Sequence, residues 1–287
     1  MGAVYKKELK GYLHGMTGAI FAGFLLLMAG IYMTVYNLYS RYPNFEVILS
    51  NVSYIYLFIV PVLTMRSVAE EKHSKTDQLL YSLPMSLTSV VLAKYFAMLT
   101  VLAIPCAVMA LYPLILASFG AAELTTAYAM LFVFFLLGAA LIAIGLFISS
   151  LTESQVIAAV ISLGVLILLN FMPGLASLVP MTALASLVGL ILISLAIGII
   201  VYVMVKNTAV AVTVAVVLSA ASVLVYTAKP ALLEGLIPSV LNALAVFDRI
   251  GNFRNGMFDL TAVVFYISVA ALFVYLTVQS MEKKRWN

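Results

Sequence analysis

The side chains able to do chemistry are few, and most of them sit in one stretch. From Arg66 the sequence carries Glu70, Glu71, Lys72, His73, Lys75, Thr76 and Asp77, followed by Leu79, Leu80, Leu83 and Pro84. Charges of both signs running into exposed leucines make a surface that wants a partner. The parts of a catalytic site are missing. The only histidines are His14 and His73, both outside the apolar runs, where solvated positions account for them. An intramembrane protease would need a buried acid pair or a Ser/His pair, and no such pair is available. No Gly-x-x-x-x-Gly-Lys-Ser/Thr loop occurs, so the chain has no cradle for ATP phosphates. The single cysteine, Cys106, lies within an apolar run, which leaves no intrachain disulfide and no thiol metal site. The apolar runs hold almost no ionisable groups of the kind that ion-coupled carriers use at midplane. A K⁺-type filter sequence is absent as well. If this chain does work, ATP must be hydrolysed on a partner, and residues 66–84 are the surface for it to grip.

The elements that position this stretch follow from hydropathy. Of 287 residues, 65% are hydrophobic and 9% charged, against about a quarter charged in a soluble domain. The mean hydropathy is +1.17. Charges cluster between long uncharged runs, one of them from Gln155 to Val205, well beyond the roughly 20 residues that cross a hydrocarbon core. Backbone groups in that core must bond within their own segment, so the runs are helical. Period-two alternation is lacking, which excludes a β-barrel. The chain reads as an all-α polytopic membrane protein. Spans are expected at about 18–36, 47–65, 95–116, 128–150, 156–172, 183–205, 209–227 and 259–279. Turn residues mark the breaks at Tyr42-Pro43-Asn44, Phe119-Gly120, Met172-Pro173-Gly174, Lys206-Asn207 and Lys229-Pro230. The first span reads as a retained anchor, since no small-residue cleavage site follows it.

An even count puts both termini on one side. Lys6, Lys7, Lys10, Arg66, Lys72, Lys75, Lys94, Lys206, Lys283, Lys284 and Arg285 fall on that side, with Arg41, Lys229, Arg249 and Arg254 opposite. The positive-inside rule then makes the termini cytoplasmic. Six spans would give the same orientation. These basic residues flank apolar runs, a topology signal and not a nucleic-acid stripe. Residues 1–14 read as an interfacial helix. Val4, Tyr5, Leu9, Tyr12 and Leu13 share one face, directed to the acyl boundary, and Lys6, Lys7 and Lys10 take the other; a solvated tail is the plainer alternative. Residues 66–94 form a cytoplasmic region, with a short helix from about Thr76 to Pro84. On the outer side, within residues 228–258, Leu233, Leu236, Ile237, Val240, Leu241, Leu244 and Phe247 recur at helical spacing and predict one amphipathic helix. Asn51 and Asn170 are the notable polar groups within spans, expected to bond neighbouring helices. The pairs Ala158/Ser162 and Ser194/Gly198 suit close helix packing.

The stretch from Thr64 to Pro84 resembles the signature of ABC-2 type permeases, the membrane subunits of certain ABC transporters. In that pattern an arginine-led acidic pair and a lysine precede a short Gly-Thr-x-x-x-Leu-Leu helix ending in Ser-x-Pro. Lys75 stands where the pattern has glycine. Tyr5-Lys6-Lys7-Glu8-Leu9 is similar to the family's interfacial connecting helix. Phe147-Ile148-Ser149-Ser150-Leu151-Thr152-Glu153-Ser154-Gln155 is similar to its turn between the fourth and fifth spans. Phe247-Asp248-Arg249, Asn252 to Asp259 and Lys283-Lys284-Arg285-Trp286 resemble the gliding-motility-type branch.

The resemblance covers residues 1–172 and about 245–287. It implies a six-helix core with a cytoplasmic coupling helix between the second and third spans, and residues 183–227 as an inserted hairpin within a single transmembrane domain. It also implies a separate ATPase subunit that binds the ATP and Mg, none being bound by this chain, and a second permease subunit, as homo- or heterodimer. The coupling residues would be Arg66, Glu70, Glu71, Lys72, Thr76, Asp77, Leu79, Leu80, Leu83 and Pro84. The expected site is the plasma membrane of a prokaryote, and the expected role an ATP-driven exporter without enzymatic activity of its own. A non-transport component driven by an ATPase, or a membrane-embedded enzyme, are the competing classes.

Overall fold

The computed structural model describes residues 1–76, 86–118, 120 and 123–286, the side chains of 200, 203–205 and 284–286 excepted. These residues are overwhelmingly helical. In chain order the helices are α1 Gly2–His14, α2 Met16–Tyr32 with a wider π-type continuation Met33–Tyr39, α3 Phe45–Ser53, α4 Tyr56–Thr64 and α5 Ala69–His73. Then come α6 Leu87–Met109, α7 Tyr112–Ser118, α8 Leu124–Leu151, α9 Gln155–Leu178, α10 Ala183–Val205 and α11 Thr208–Ala228. The last are α12 Leu236–Ala243, α13 Gly251–Arg254 and α14 Leu260–Trp286.

Among the described residues six helical stretches are long and apolar enough to cross a membrane: Met16–Tyr39, Leu87–Ser118, Leu124–Leu151, Gln155–Leu178, Thr208–Ala228 and Leu260–Lys283. Two bent pairs raise the number to as many as eight. One of them, Phe45–Ser53 with Tyr56–His73, bends by 54° and occupies the place of the expected second span. The expected sixth span corresponds to α10, a 23-residue apolar helix.

The chain divides into two compact units, Met1–Leu168 with Phe247–Asn287, and Leu169–Val246. In the first unit α8 is the hub, with 78% of its most apolar window buried, and it packs against α3, α4, α6 and α14. Small residues let backbones approach there, as helices in lipid require. A Cβ on Gly145 would lie 2.4 Å from Thr64 Oγ1, and one on Gly138 would lie 2.7 Å from Leu102 Cδ2. Tyr56, fully buried, stacks on Phe134 at 4.7 Å between centroids. The second unit holds the α10–α11 hairpin. Ser194 and Ser219 hydroxyls bond across it at 2.6 Å, and a Cβ on Gly198 would lie 2.8 Å from that of Ala215.

Four expectations need correction. Pro173 does not end a span: it lies inside α9, which runs on to Leu178. A proline inside a helix removes one N–H and leaves one carbonyl a turn earlier without its usual donor, a cost that membrane helices tolerate more readily than soluble ones. Residues 231–258 do not form one amphipathic helix. Gly235 at φ +68° caps α12, and the remainder is short 3₁₀ turns, Pro230–Leu232 and Asp248–Ile250, with the single turn of α13. The third expected span starts near Leu87, not 95, so Lys94 lies within the helix. Finally, α1 packs on protein. Val4 forms a buried cluster with Val90 and Ala93 of α6, joined by Tyr5, and Tyr5 Oη bonds Thr100 Oγ1 at 2.8 Å. The protein thus covers Val4 and Tyr12 of the apolar stripe and leaves Leu13, 50% exposed, for the interface.

Candidate coupling junction

Lys94 organises one end of the first unit. Its side chain is 1% exposed, and an ammonium has three protons to place. They go to Glu8 Oε1 at 2.9 Å, Glu71 Oε1 at 2.9 Å and Ser67 O at 2.8 Å. Lys7, itself exposed, approaches Glu71 at 3.9 Å. Two lysines against two glutamates leave this network formally neutral, which a buried ion cluster requires if desolvation is to be offset. The network ties α1, through Glu8, to the segment after α4, through Ser67 and Glu71, and both to α6.

The end of α8 grips the same segment. Ser149 Oγ accepts from the Val68 and Ala69 N–H groups at 3.2 and 3.1 Å and donates to Met65 O at 3.2 Å. It thereby caps α5, whose first N–H groups have no helical partner. The buried Lys72 ammonium donates to Ser150 O, near the C-terminus of α8, where the unsatisfied carbonyls favour a cation. Tyr12, 6% exposed, lies against Ser67, and burial pushes its phenol pKa well above the ordinary value. Beside it a cavity of about 190 Å³ is lined by Gly11, Gly15, Thr17 and the Arg66–Glu70 pair.

The expected coupling residues therefore separate. Arg66 and Glu70 face outward, the Arg66 Nε and Nη2 donating to the two Glu70 carboxylate oxygens at 2.8 and 2.9 Å. Glu71 and Lys72 face inward, and so does Glu8 of the connecting helix. Lys6, Lys7 and Lys10 are exposed, and Leu9 is half-buried. Thr76 is exposed, its hydroxyl 3.0 Å from Ser74 Oγ. Asp77, Leu79, Leu80, Leu83 and Pro84, and with them the short helix expected there, lie outside the described residues. His14 and His73 are exposed, and no group of three or more metal-ligating side chains occurs among the described residues. Asn51 and Asn170 are half-buried. Lys94, Ser67 and Ser149, none of them among the expected coupling residues, hold the junction together with Glu8, Glu71 and Lys72.

Lys75 has φ +56°. In this left-handed region an L side chain costs roughly 1–2 kcal/mol and glycine does not. The position is the one where the permease pattern has glycine. Lys75→Gly is therefore expected to stabilise the chain by about 1 kcal/mol, raising its melting temperature in detergent by a few degrees. Lys75→Val should lower it.

The carboxy-terminal motif is a folded corner. Gly256 takes φ +77°, Met257 N bonds Asn252 O at 3.0 Å, and Phe253 meets Phe258 edge-on at 5.3 Å. Asp259 caps α14 through the Thr261 N–H at 2.8 Å and is held by Asn252 Nδ2 at 2.8 Å. The Asn252 bond, with those from Thr261 and Ala262, keeps its carboxyl below the usual range.

No curated protein and no solved structure matches the chain. A family model, described as ABC-2 family transporter protein, matches residues 27–186. That span includes the bent pair, the Arg66–Glu70 and Lys94–Glu71 pairs and the Ser149 cap, and it is more than half of the chain. With its multiple apolar helices, the protein belongs to the ABC-2 transporter family, as a multi-pass membrane permease of an ABC transporter.

Proposed function

We propose that this permease serves an ATP-driven exporter, powered by a separate ABC ATPase subunit that binds the ATP and Mg and docks on residues 66–84. A second permease subunit, identical or different, completes the pathway. The observation carrying this reading is the convergence of α1, the 66–73 segment, α6 and the end of α8 on one network. A push on an external surface here reaches the two long helices α6 and α8, and α1 with them, through buried ions and hydrogen bonds instead of dissipating in a loop. The basic residues support placing this end, and both termini, in the cytoplasm of a prokaryotic cell.

The outward-facing Arg66–Glu70 pair is a charged part of this surface that a partner can reach. Glu71 is spent inside the chain, so replacing both glutamates would confuse docking with folding. Glu70→Lys alone should leave expression and melting unchanged, since exposed pairs contribute at most about 1 kcal/mol. It should reduce co-purification of the ATPase, or ATP hydrolysis coupled to transport in liposomes, several-fold. Undiminished binding and transport in this variant would remove Glu70 from the interface. The carboxy-terminal motif favours a second reading, an ATPase-driven component that moves no solute. Hydrolysis in liposomes that no cargo stimulates would select it.

A further inference from the structure

A second polar site lies at the opposite end of α8. Thr126, in its first turn, and Ser149, near its last, are 23 residues apart, or about 35 Å at 1.5 Å per residue. Around Thr126 a cavity of about 670 Å³ is lined by Asn44, Glu46, Glu123, Arg254 and Asn255, among others. Glu46 is 6% exposed. Its Oε1 is 2.5 Å from Thr126 Oγ1, and the same hydroxyl is 3.0 Å from Glu123 O. One hydroxyl has one proton, so it serves a single acceptor at a time. The other Glu46 oxygen has no hydrogen-bond or ion-pair partner among the described residues. Buried carboxylates are ordinarily paired or bound to a cation. This one has no cationic partner among the described residues and opens on a cavity large enough for a small polar group.

The mouth supplies the opposite charge. Arg254 lines the same cavity and is exposed, and its guanidinium has no partner among the described residues. It is not placed to neutralise Glu46, since no ion pair joins them. The loop carrying it packs over the site, where a Cβ on Gly256 would lie 3.6 Å from Thr126 Cγ2. Exposed Tyr39, Tyr42, Met257 and Phe258 lie in the same segments, the amphipathic and apolar character found at a membrane–water boundary.

We infer that this cavity binds a zwitterion, a primary ammonium held by Glu46 with an anionic oxygen held by Arg254. Two sources carry that chemistry: the phosphoethanolamine headgroup of a phospholipid, and a free water-soluble zwitterion. A trimethylated ammonium cannot donate the hydrogen bonds that Glu46 accepts, so the site discriminates against choline headgroups. The claim concerns binding and stands whether or not the bound molecule is transported.

Native mass spectrometry of the full chain, delipidated in detergent, tests it. Phosphatidylethanolamine should be retained over phosphatidylcholine and phosphatidylglycerol by about tenfold, the equivalent of one charge-assisted hydrogen bond. Glu46→Gln should remove that preference, and Arg254→Gln should weaken retention of every phospholipid. Glu234→Gln, at an exposed glutamate elsewhere, should change neither. Since Glu46 is buried, its variant is compared at matched melting temperature. Arg254 is exposed, so its variant reports even if Glu46→Gln fails to fold. Retention of free phosphoethanolamine at the same concentration as the lipid would identify a soluble zwitterion as the source; retention of the lipid alone would identify the headgroup. Equal retention of all three lipids, or a phosphatidylethanolamine preference that survives both substitutions, overturns the inference.

Discussion

Lys94→Met is expected to destabilise the protein by about 3–5 kcal/mol, the usual cost of leaving buried partners of an ion cluster uncompensated. Methionine fills much of the lysine volume and keeps the apolar stem's contacts, so the loss reports the charge. Glu8 and Glu71 then face each other's fields at a site where their side chains are only 14% and 13% exposed, and Ser67 O loses its donor. The triple variant Lys94→Met, Glu8→Gln, Glu71→Gln should recover more than half of the loss, because neutral amides remove the unpaired charges. Unfolding in detergent measures both. Lys94→Met within about 1 kcal/mol of the parent would mean that water reaches the cluster and the ions are solvated. In the assembled transporter the triple variant is the informative one. It folds, but α1, α6 and the 66–73 segment are no longer locked by charge, so ATP hydrolysis should continue with transport reduced.

The junction shows why the sequence speaks clearly about some layers of this protein and not others. Hydropathy is local, so long uncharged runs announce the spans residue by residue. The network is not local. Lys94 meets Glu8 across 86 positions and Ser67 across 27, and each residue alone looks like a flanking charge. A lysine bracketed by Val90, Val91, Leu92, Ala93, Tyr95 and Phe96 was the available clue, because a helix reaching back to Leu87 buries that position. Ser149 and Ser150 were legible as part of a family-like turn, but their task, capping α5 and receiving Lys72, depends on where α4 ends in space. Lys75 was legible as a departure from glycine, and its backbone shows what the departure costs. Pro173 misled because proline stops helices in water more reliably than in lipid. Residues 231–258 misled because apolar spacing persists through Gly235 and Pro238 even though the backbone does not.

The α10–α11 hairpin offers an all-or-none result. Its tip is two residues long. Lys206 ends α10 at φ +53°, and the Asn207 side chain accepts from the Ala209 and Val210 N–H groups at 3.0 and 3.4 Å, capping α11. A turn this tight makes the helices antiparallel, and the Ser194–Ser219 bond holds them together. Their 23 and 21 residues give about 35 and 32 Å at 1.5 Å each, enough to cross a hydrocarbon core of about 30 Å. If the hairpin crosses, its tip is cytoplasmic and the 229–235 segment lies outside. Cys106 is the only cysteine, so Cys106→Ala gives a clean background. Thr208→Cys probes the tip without removing the Asn207 cap, and the exposed Glu234→Cys avoids the positive φ of Gly235. With a membrane-impermeant thiol reagent on intact cells, Glu234→Cys should label and Thr208→Cys should not, reacting only after the cells are opened. Labelling of Thr208→Cys from outside would make α10 and α11 a re-entrant pair, which backbone buried against protein permits. Six spans would then remain, and Lys206 would sit at the outer surface against the positive-inside rule.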